Sequence, residues 1–485
     1  MVFNSYSFLF IFFPLSVVIY FVLNRTTTSA IGKIFLIICS CYFYQSLAGS
    51  NLYLLLGSIT INYICGYLIH EFIDSSARRK FLLYIGILSN LSLLIYFKYT
   101  YFIVDNINSF LSTPLFLHDI ILPLGISFYT FQQIAYLVDC YRNNISGNRF
   151  FDYCLFVSFY PQIVQGPIVY QLELTPQFNK PRNWRHHWDN IAKGLFIFSI
   201  GLAKKILVAD QIAEFVNYGF SHPEGLDFFA AWATSLGYTL QIYFDFSGYM
   251  DMALGVGYCF NVSLPSNFNS PYKALSIQDF WRRWHITLTR FLREFVYIPI
   301  GGNRRGRLRT YLNIFITFLI GGIWHGAGWT FLFWGFFHAL GCVGQRLWEN
   351  TGIRLPKIIA WFLTFNFINV TWILFRAESL DTMKTLVRSM AGLNSWHMPE
   401  FSALMPSNLV QQINRLSDVI EKTPQWGSCL IVIAVLLSFC LIYKNSVELV
   451  EHFQPKPALA LIIALLAVIS TVYIDKSTQF IYYQF

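Results

Sequence analysis

The stretch FLIGGIWHGAGWTFLFWGFFH, residues 318–338, is free of Asp, Glu, Lys and Arg, and it holds His325 between two glycine pairs, Gly321/Gly322 and Gly326/Gly328. On either side of that histidine the chain reads as lipid-soluble helix. A helix needs about 20 such residues to cross roughly 30 Å of hydrocarbon, and runs of that kind recur along almost the whole sequence. Of 485 residues, 55% are hydrophobic, 19% aromatic and only 12% charged, and the mean hydropathy is +0.49. A soluble domain does not have that composition. Ten-residue alternating strands are not visible, which argues against a barrel. The expected fold class is therefore all-α, a polytopic integral membrane helical bundle.

Candidate spans are residues 5–24, 33–47, 52–69, 81–97, 120–138, 153–169, 191–208, 228–244, 311–323, 329–343, 358–375, 429–443 and 457–473. That places about 11–13 helices in the membrane, in one transmembrane domain covering 1–485. The first run has no basic start and no small-residue cleavage site, so it reads as a retained span rather than a signal peptide. With Arg25, Lys33, Arg78, Arg79 and Lys80 inside, the first three spans alternate and the N-terminus lies extracytoplasmic. The net charge of +9 sets orientation rather than attracting nucleic acid. Eight arginines between Phe280 and Thr310 (Arg282, Arg283, Arg290, Arg293, Arg304, Arg305, Arg307, Arg309) face Glu294 alone and mark a cytoplasmic surface.

Proline, glycine and charge interrupt ILPLGISFYTFQ (121–132), FYPQIVQGPI (159–168) and LPSNFNSPYKALS (264–276). Broken segments at membrane depth need protein or a wet cavity around them, so a cavity-containing bundle is expected. Beyond Arg376, Leu380, Met383, Leu386, Val387 and Met390 repeat at helical spacing behind Ser379 as N-cap, which predicts a helix in the interface or in a soluble loop.

Three regions could carry chemistry. In LQIYFDFSGYMDMALG (240–255), Gln241, Asp245 and Tyr249 align on one helix face and Ser247 and Asp251 form a second pair. Such carboxylates require partners or a wet cavity, and a structural polar network serves as well as a functional one. DFWRRWHITLTRFLREF (279–295) reads as one amphipathic cytoplasmic helix with an interfacial aromatic stripe, Arg290 and Glu294 spaced to pair, and His285 beside the stripe. Around His325 the glycines either admit a ligand or let two helices cross closely, with Gly322 and Gly326 as the small pair.

Nine cysteines without a CxxC pair suit buried small side chains, and the ten histidines show no HxxxH, HxxHH or HExxH spacing, so no metal site is expected. Walker, GxSxG and dinucleotide motifs are missing as well.

Five motifs, PLGISFYTFQQIAYLVD (123–139), QIYFDFSGYMDMALGVG (241–257), NFNSPYKALSIQDFWRRWHITLTRFLREFVYIPIGGNRRG (267–306), GGIWHGAGWTFLFWGFFH (321–338) and FIYYQF (480–485), resemble the membrane-bound O-acyltransferase (MBOAT) family. The resemblance is to its bacterial branch, which serves alginate and peptidoglycan O-acetylation. It implies a helical bundle around a central funnel in the bacterial inner membrane, with His325 catalytic and His285 a second functional histidine. It also implies an acyl group, acetyl in this branch, taken from a cytoplasmic thioester such as acetyl-coenzyme A and passed to an exported acetyltransferase partner that modifies a polysaccharide. No other cofactor is implied. His325 as general base would contribute about 10²–10⁴-fold, and Arg282 and Arg283 would bind the donor's phosphates, although anionic lipid explains the same arginines. D-alanyl transfer to teichoic acid is a more distant alternative. A transporter with Asp245, Asp251 and His325 as a relay is another, but the chain has no internal repeat of the transporter kind.

Overall fold

A computed structural model describes residues 1–111, 115–117, 119–145, 149–397, 425–476, 478 and 480–481. The described chain is helical, and its one β feature is an isolated antiparallel bridge between Phe268 and Trp284. Residues 482–485 of the terminal motif lie outside the described residues.

Four long apolar segments open the chain: α1 (Phe13–Thr26), entered through a π turn at Phe8–Phe12, then α2 (Ser29–Ala48), α3 (Asn51–Glu71) and α4 (Ser76–Leu94). The last runs on through a π turn at Ile95–Tyr99 into α5 (Thr100–Asn108), giving 33 continuous helical residues where the apolar pattern marks only 81–97. Their outward residues, such as Phe10, Tyr53, Phe81 and Leu88, are large, apolar and exposed, as lipid-facing side chains must be.

Interrupted segments behave as their prolines and glycines demand. Span 120–138 becomes a non-helical lead and α6 (Ile126–Tyr141), starting at Gly125 in the left-handed region (φ 72°). Span 153–169 is helical only in α7 (Phe150–Ser158), after which FYPQIVQGPI runs as buried irregular chain enclosed by protein. After α8 (Gln171–Asn179) come α9 (Trp188–Ala203), a π turn at Lys204–Ala209 and α10 (Asp210–Ser221).

The axis of the bundle is α11 (Phe228–Cys259), 32 residues long and buried at nearly every position. At 1.5 Å per residue it is about 48 Å long, well beyond the hydrocarbon thickness. It crosses α9 at backbone contact: a Cβ on Gly255 would stand 2.6 Å from the Gly194 carbonyl oxygen, and one on Gly248 2.7 Å from that of Gly201. Glycines seven apart on both helices thus make the crossing possible.

The arginine-rich region forms α12 (Ile277–Arg283) and α13 (Ile286–Leu292), followed by α14 (Arg307–His325), α15 (Trp329–Glu349) and α16 (Lys357–Arg376). Next is α17 (Leu380–Met390), where Ser379 Oγ accepts from the Thr382 amide as the expected N-cap. Beyond it lie α18 (Trp426–Ile442), α19 (Ser446–Glu451) and α20 (Pro457–Val472).

Among the described residues, five helical segments are long and apolar enough to cross a membrane, and α18 and α20 are shorter apolar helices. The other expected spans fall on helices that are shorter, more polar or more fully enclosed by protein. The chain is a multi-pass membrane protein.

Candidate active site

α14 and α15 form a tight helical hairpin, and His325 is the last residue of the first arm. A Cβ on Gly322 would collide with the Phe331 carbonyl oxygen and one on Gly335 with that of Phe318. The close crossing is therefore real, with Gly335 rather than Gly326 as the partner of Gly322. Gly326 instead receives the Phe331 ring. Glycine thus serves the helix crossing, and the crossing in turn sets His325 among aromatic rings: Trp324 at 4.9 Å, Trp334 at 5.1 Å and Phe375 at 5.1 Å between centroids. Its residue is 4% exposed.

The single helix expected over 279–295 is broken. α12 ends at Arg283, Trp284 is extended, and His285 lies in the left-handed region at φ 43°, ψ 52° before α13 begins. For a residue with a Cβ this conformation costs about 1–3 kcal/mol and persists only where surroundings over-determine it. They do so here. The Asn269 amide donates to the Arg283 carbonyl (2.9 Å) and the Ile286 amide to the Asn267 carbonyl (3.1 Å). Asn267 Oδ1 also accepts from Thr287 through both its amide (3.0 Å) and its hydroxyl (2.7 Å). The NFNSP segment is thus a brace that turns His285 inward.

His285 is fully buried rather than beside an interfacial stripe, and Trp281 and Trp284 of that stripe are core residues. Its ring faces His325 with centroids 6.2 Å apart and meets Phe246 edge-on at 4.9 Å. Neither His285 ring nitrogen has a hydrogen-bond partner among the described residues, a costly state that suits a group reserved for a ligand or water. Arg290 pairs with Glu173 of α8 at 2.5 and 3.0 Å instead of Glu294, which lies in a π turn (Arg293–Tyr297) where the i, i+4 register of an α-helix is lost.

A cavity of about 220 Å³ reaches His325 past Trp281, Leu288, Phe318, Gly321 and Trp334, and Arg282, Arg293 and Arg346 also line it. It shares Gln278 and Arg346 with a neighbouring polar cavity of about 460 Å³ whose lining includes Asn303 and Arg307. An apolar slot against the histidine therefore adjoins a basic, polar vestibule. The two arginines expected to act together separate: Arg282 lines the cavity, whereas Arg283 pairs with Asp279 at 2.9 Å and donates to the Asn269 carbonyl at 3.3 Å.

The polar face of α11 does not line this cavity. Asp245 pairs with Lys205 (2.6 Å) and accepts from the Ile481 amide (2.9 Å). Asp251 pairs with Lys204 (2.6 Å) and accepts from Ser446 (2.8 Å), while Tyr249 stacks on Phe3 at 5.0 Å. Gln241 is buried in the same helix. These are the partners that carboxylates at membrane depth require, and they hold helices together.

Sequence reading missed His338, whose Nδ1 accepts from Trp281 Nε1 at 3.2 Å and fixes a wall of the slot. Its spacing, four residues after Trp334 on one helix face, was the available signal. Arg346, at the polar end of α15, was also missed. Among the described residues no three His, Cys, Asp or Glu gather where a metal ion could sit.

The sequence profile described as MBOAT, membrane-bound O-acyltransferase family, matches residues 76–380. The chain belongs to the membrane-bound O-acyltransferase family. The matched span contains both histidines, the brace and the cavity, and this MBOAT protein is an O-acyltransferase; the transporter reading gives way to that assignment. It is 42% identical to a peptidoglycan O-acetyltransferase of Helicobacter pylori, over 100% of this chain and 98% of that one. It is 36% identical to a probable alginate O-acetylase of Pseudomonas aeruginosa, over 83% and 77% of the two chains. A teichoic acid D-alanyltransferase of Bacillus subtilis is more distant, 24% identical over 54% of this chain and 70% of that one.

Proposed function

We propose that this MBOAT enzyme moves an acetyl group from a thioester donor at the cytoplasmic face of a bacterial inner membrane toward hydroxyls of an extracytoplasmic glycan. Peptidoglycan is the acceptor we favour, because the full-length likeness is to a peptidoglycan O-acetyltransferase. In this reading the N-terminus is extracytoplasmic, and an exported acetyltransferase completes delivery.

The observation that carries the reading is His325, buried at the end of an apolar slot that opens beside Arg282, Arg293 and Arg346. Those arginines suit the phosphates of a coenzyme A thioester, since a guanidinium matches a phosphate bidentately. The slot admits only a narrow arm. His325 takes the proton of the attacking hydroxyl, the new O–C bond forms, the C–S bond breaks, and the imidazolium returns the proton to the leaving thiolate. His285, across from His325, binds or orients the acceptor hydroxyl.

The test is mass spectrometry of cell-wall and secreted glycans from cells carrying the wild-type protein or His325→Ala, with detergent thermal shift as folding control. A folded His325→Ala protein should abolish O-acetylation of muropeptides. Undiminished acetylation would remove His325 from the mechanism. Loss confined to a secreted uronate polymer, or loss of alanyl esters instead of acetyl esters, would reassign the acceptor or the acyl group.

A further inference from the structure

An ammonium group stands inside the longest of the membrane-length apolar segments among the described residues. Lys98 lies in the π turn Ile95–Tyr99 of the 33-residue helical stretch 76–108. A lysine at membrane depth is costly and marks function or a dedicated partner.

Its partners are specific. Lys98 Nζ donates to the Trp324 carbonyl at 2.6 Å, to the His325 carbonyl at 3.1 Å and to Ser127 Oγ at 3.4 Å. An ammonium has three N–H groups, and all three are used. The adjacent Tyr99 hydroxyl donates to the Ile323 carbonyl at 2.8 Å.

Helix α14 ends at His325, so its last carbonyls have no intrahelical donor. The Gly326 amide turns back to the Gly322 carbonyl (3.3 Å), and the Gly328 amide is taken by the Gly326 carbonyl (3.1 Å). The carbonyls of Ile323, Trp324 and His325 are therefore served by two neighbouring side chains of one π turn, a local widening often found at functional positions. The ammonium also complements the negative end of the helix dipole and lies 5.9 Å from the centre of the Trp324 ring. That indole donates in turn to the Ser127 carbonyl at 3.3 Å, tying α6 to the same point.

We infer that Lys98 and Tyr99 are positioning residues for acyl transfer: they cap the carbonyl end of α14 and so hold His325 in register with the cavity. The inference rests on the reading of His325 as the base. Without the cap, the last turn of α14 frays toward other donors and the imidazole shifts relative to Trp334 and His285. A displacement near 1 Å costs about 10²-fold in rate.

The measurement is thiol release from acetyl-coenzyme A by inside-out vesicles carrying equal amounts of wild type, Lys98→Met, Lys98→Arg, Tyr99→Phe or His325→Ala. Lys98→Met should lower kcat about 10–100-fold with the KM for acetyl-coenzyme A nearly unchanged. Lys98→Arg should recover part of the loss, and Tyr99→Phe should show a smaller loss of kcat alone. If Lys98→Met does not fold, Tyr99→Phe, which removes one oxygen, carries the test. Wild-type kcat in Lys98→Met or, where that variant does not fold, in Tyr99→Phe overturns the inference, as does an equal collapse of kcat, KM and melting midpoint in both lysine variants. Transfer retained by His325→Ala would instead sink the base reading, so the two failures are told apart.

Discussion

Substituting Gly322 by alanine perturbs the hairpin at a point one helical turn before His325. The new Cβ would lie about 1 Å inside ordinary van der Waals contact with the Phe331 carbonyl oxygen, and Cα of Gly335 already stands 3.3 Å from its position. Both obstacles are backbone, so neither can swing aside. The two helices must part by a comparable distance, at an overpacking cost of about 1–3 kcal/mol. Alanine's better helix propensity returns at most about 1 kcal/mol, so destabilisation wins. Because Trp334 on α15 packs on the His325 ring, the separation also moves the imidazole against its wall. A shift of that size predicts a fall in kcat of about 10²-fold, or about 2.7 kcal/mol in the barrier. Gly344→Ala is the control, since nothing lies within 4 Å of its new Cβ on the same helix α15. The assays are detergent thermal unfolding and thiol release from acetyl-coenzyme A in inside-out vesicles. Gly344→Ala should match wild type or melt slightly higher. A Gly322→Ala protein with wild-type rate and melting midpoint would refute the claim that the crossing positions His325.

Arg346 lines both the slot and the vestibule. Arg346→Ala should raise the KM for acetyl-coenzyme A about tenfold, as loss of one charge-assisted contact predicts, and leave kcat alone; an unchanged KM would place the donor elsewhere. In the α11 network, Asp251→Ala strands Lys204 in the protein interior and should destabilise by about 3–5 kcal/mol, read as a lower melting midpoint. The double variant Lys204→Met/Asp251→Leu should regain most of that loss, and a double variant as unstable as the single one would contradict a purely structural ion pair.

Much of the site was legible because its residues cluster in sequence. The glycines around His325 and the arginine-rich stretch after Phe280 are local patterns that mark the site, whereas the aligned carboxylates of 240–255 are a local pattern that marks the ion pairs of α11 outside it. What local pattern could not show was the break at Trp284–His285. Periodicity over 279–295 favours an unbroken amphipathic helix, and the brace that overrides it comes from Asn267 and Asn269, whose hydrogen bonds exist only after the chain folds back. Arg283 is a different case: its pair with Asp279 is an i, i+4 pair that spacing offers, and only its hydrogen bond to the Asn269 carbonyl depends on the fold. Lys98 follows directly on the expected span 81–97, and its partners exist only once the C-terminus of α14 is brought against it.

By itself the sequence determined that the chain is a helical membrane protein, because apolar runs with satisfied backbone can exist in a bilayer only as helices or closed barrels and no barrel pattern is present. It also determined which histidines, arginines and carboxylates the chemistry can draw on. Tertiary structure alone decided which of them meet. Two histidines forty residues apart face each other across 6.2 Å, while Asp245 and Asp251 turn away to lysines of the π turn after α9. The reason is physical: at membrane depth each charge or exposed carbonyl must find a partner, and those partners come from distant parts of the chain.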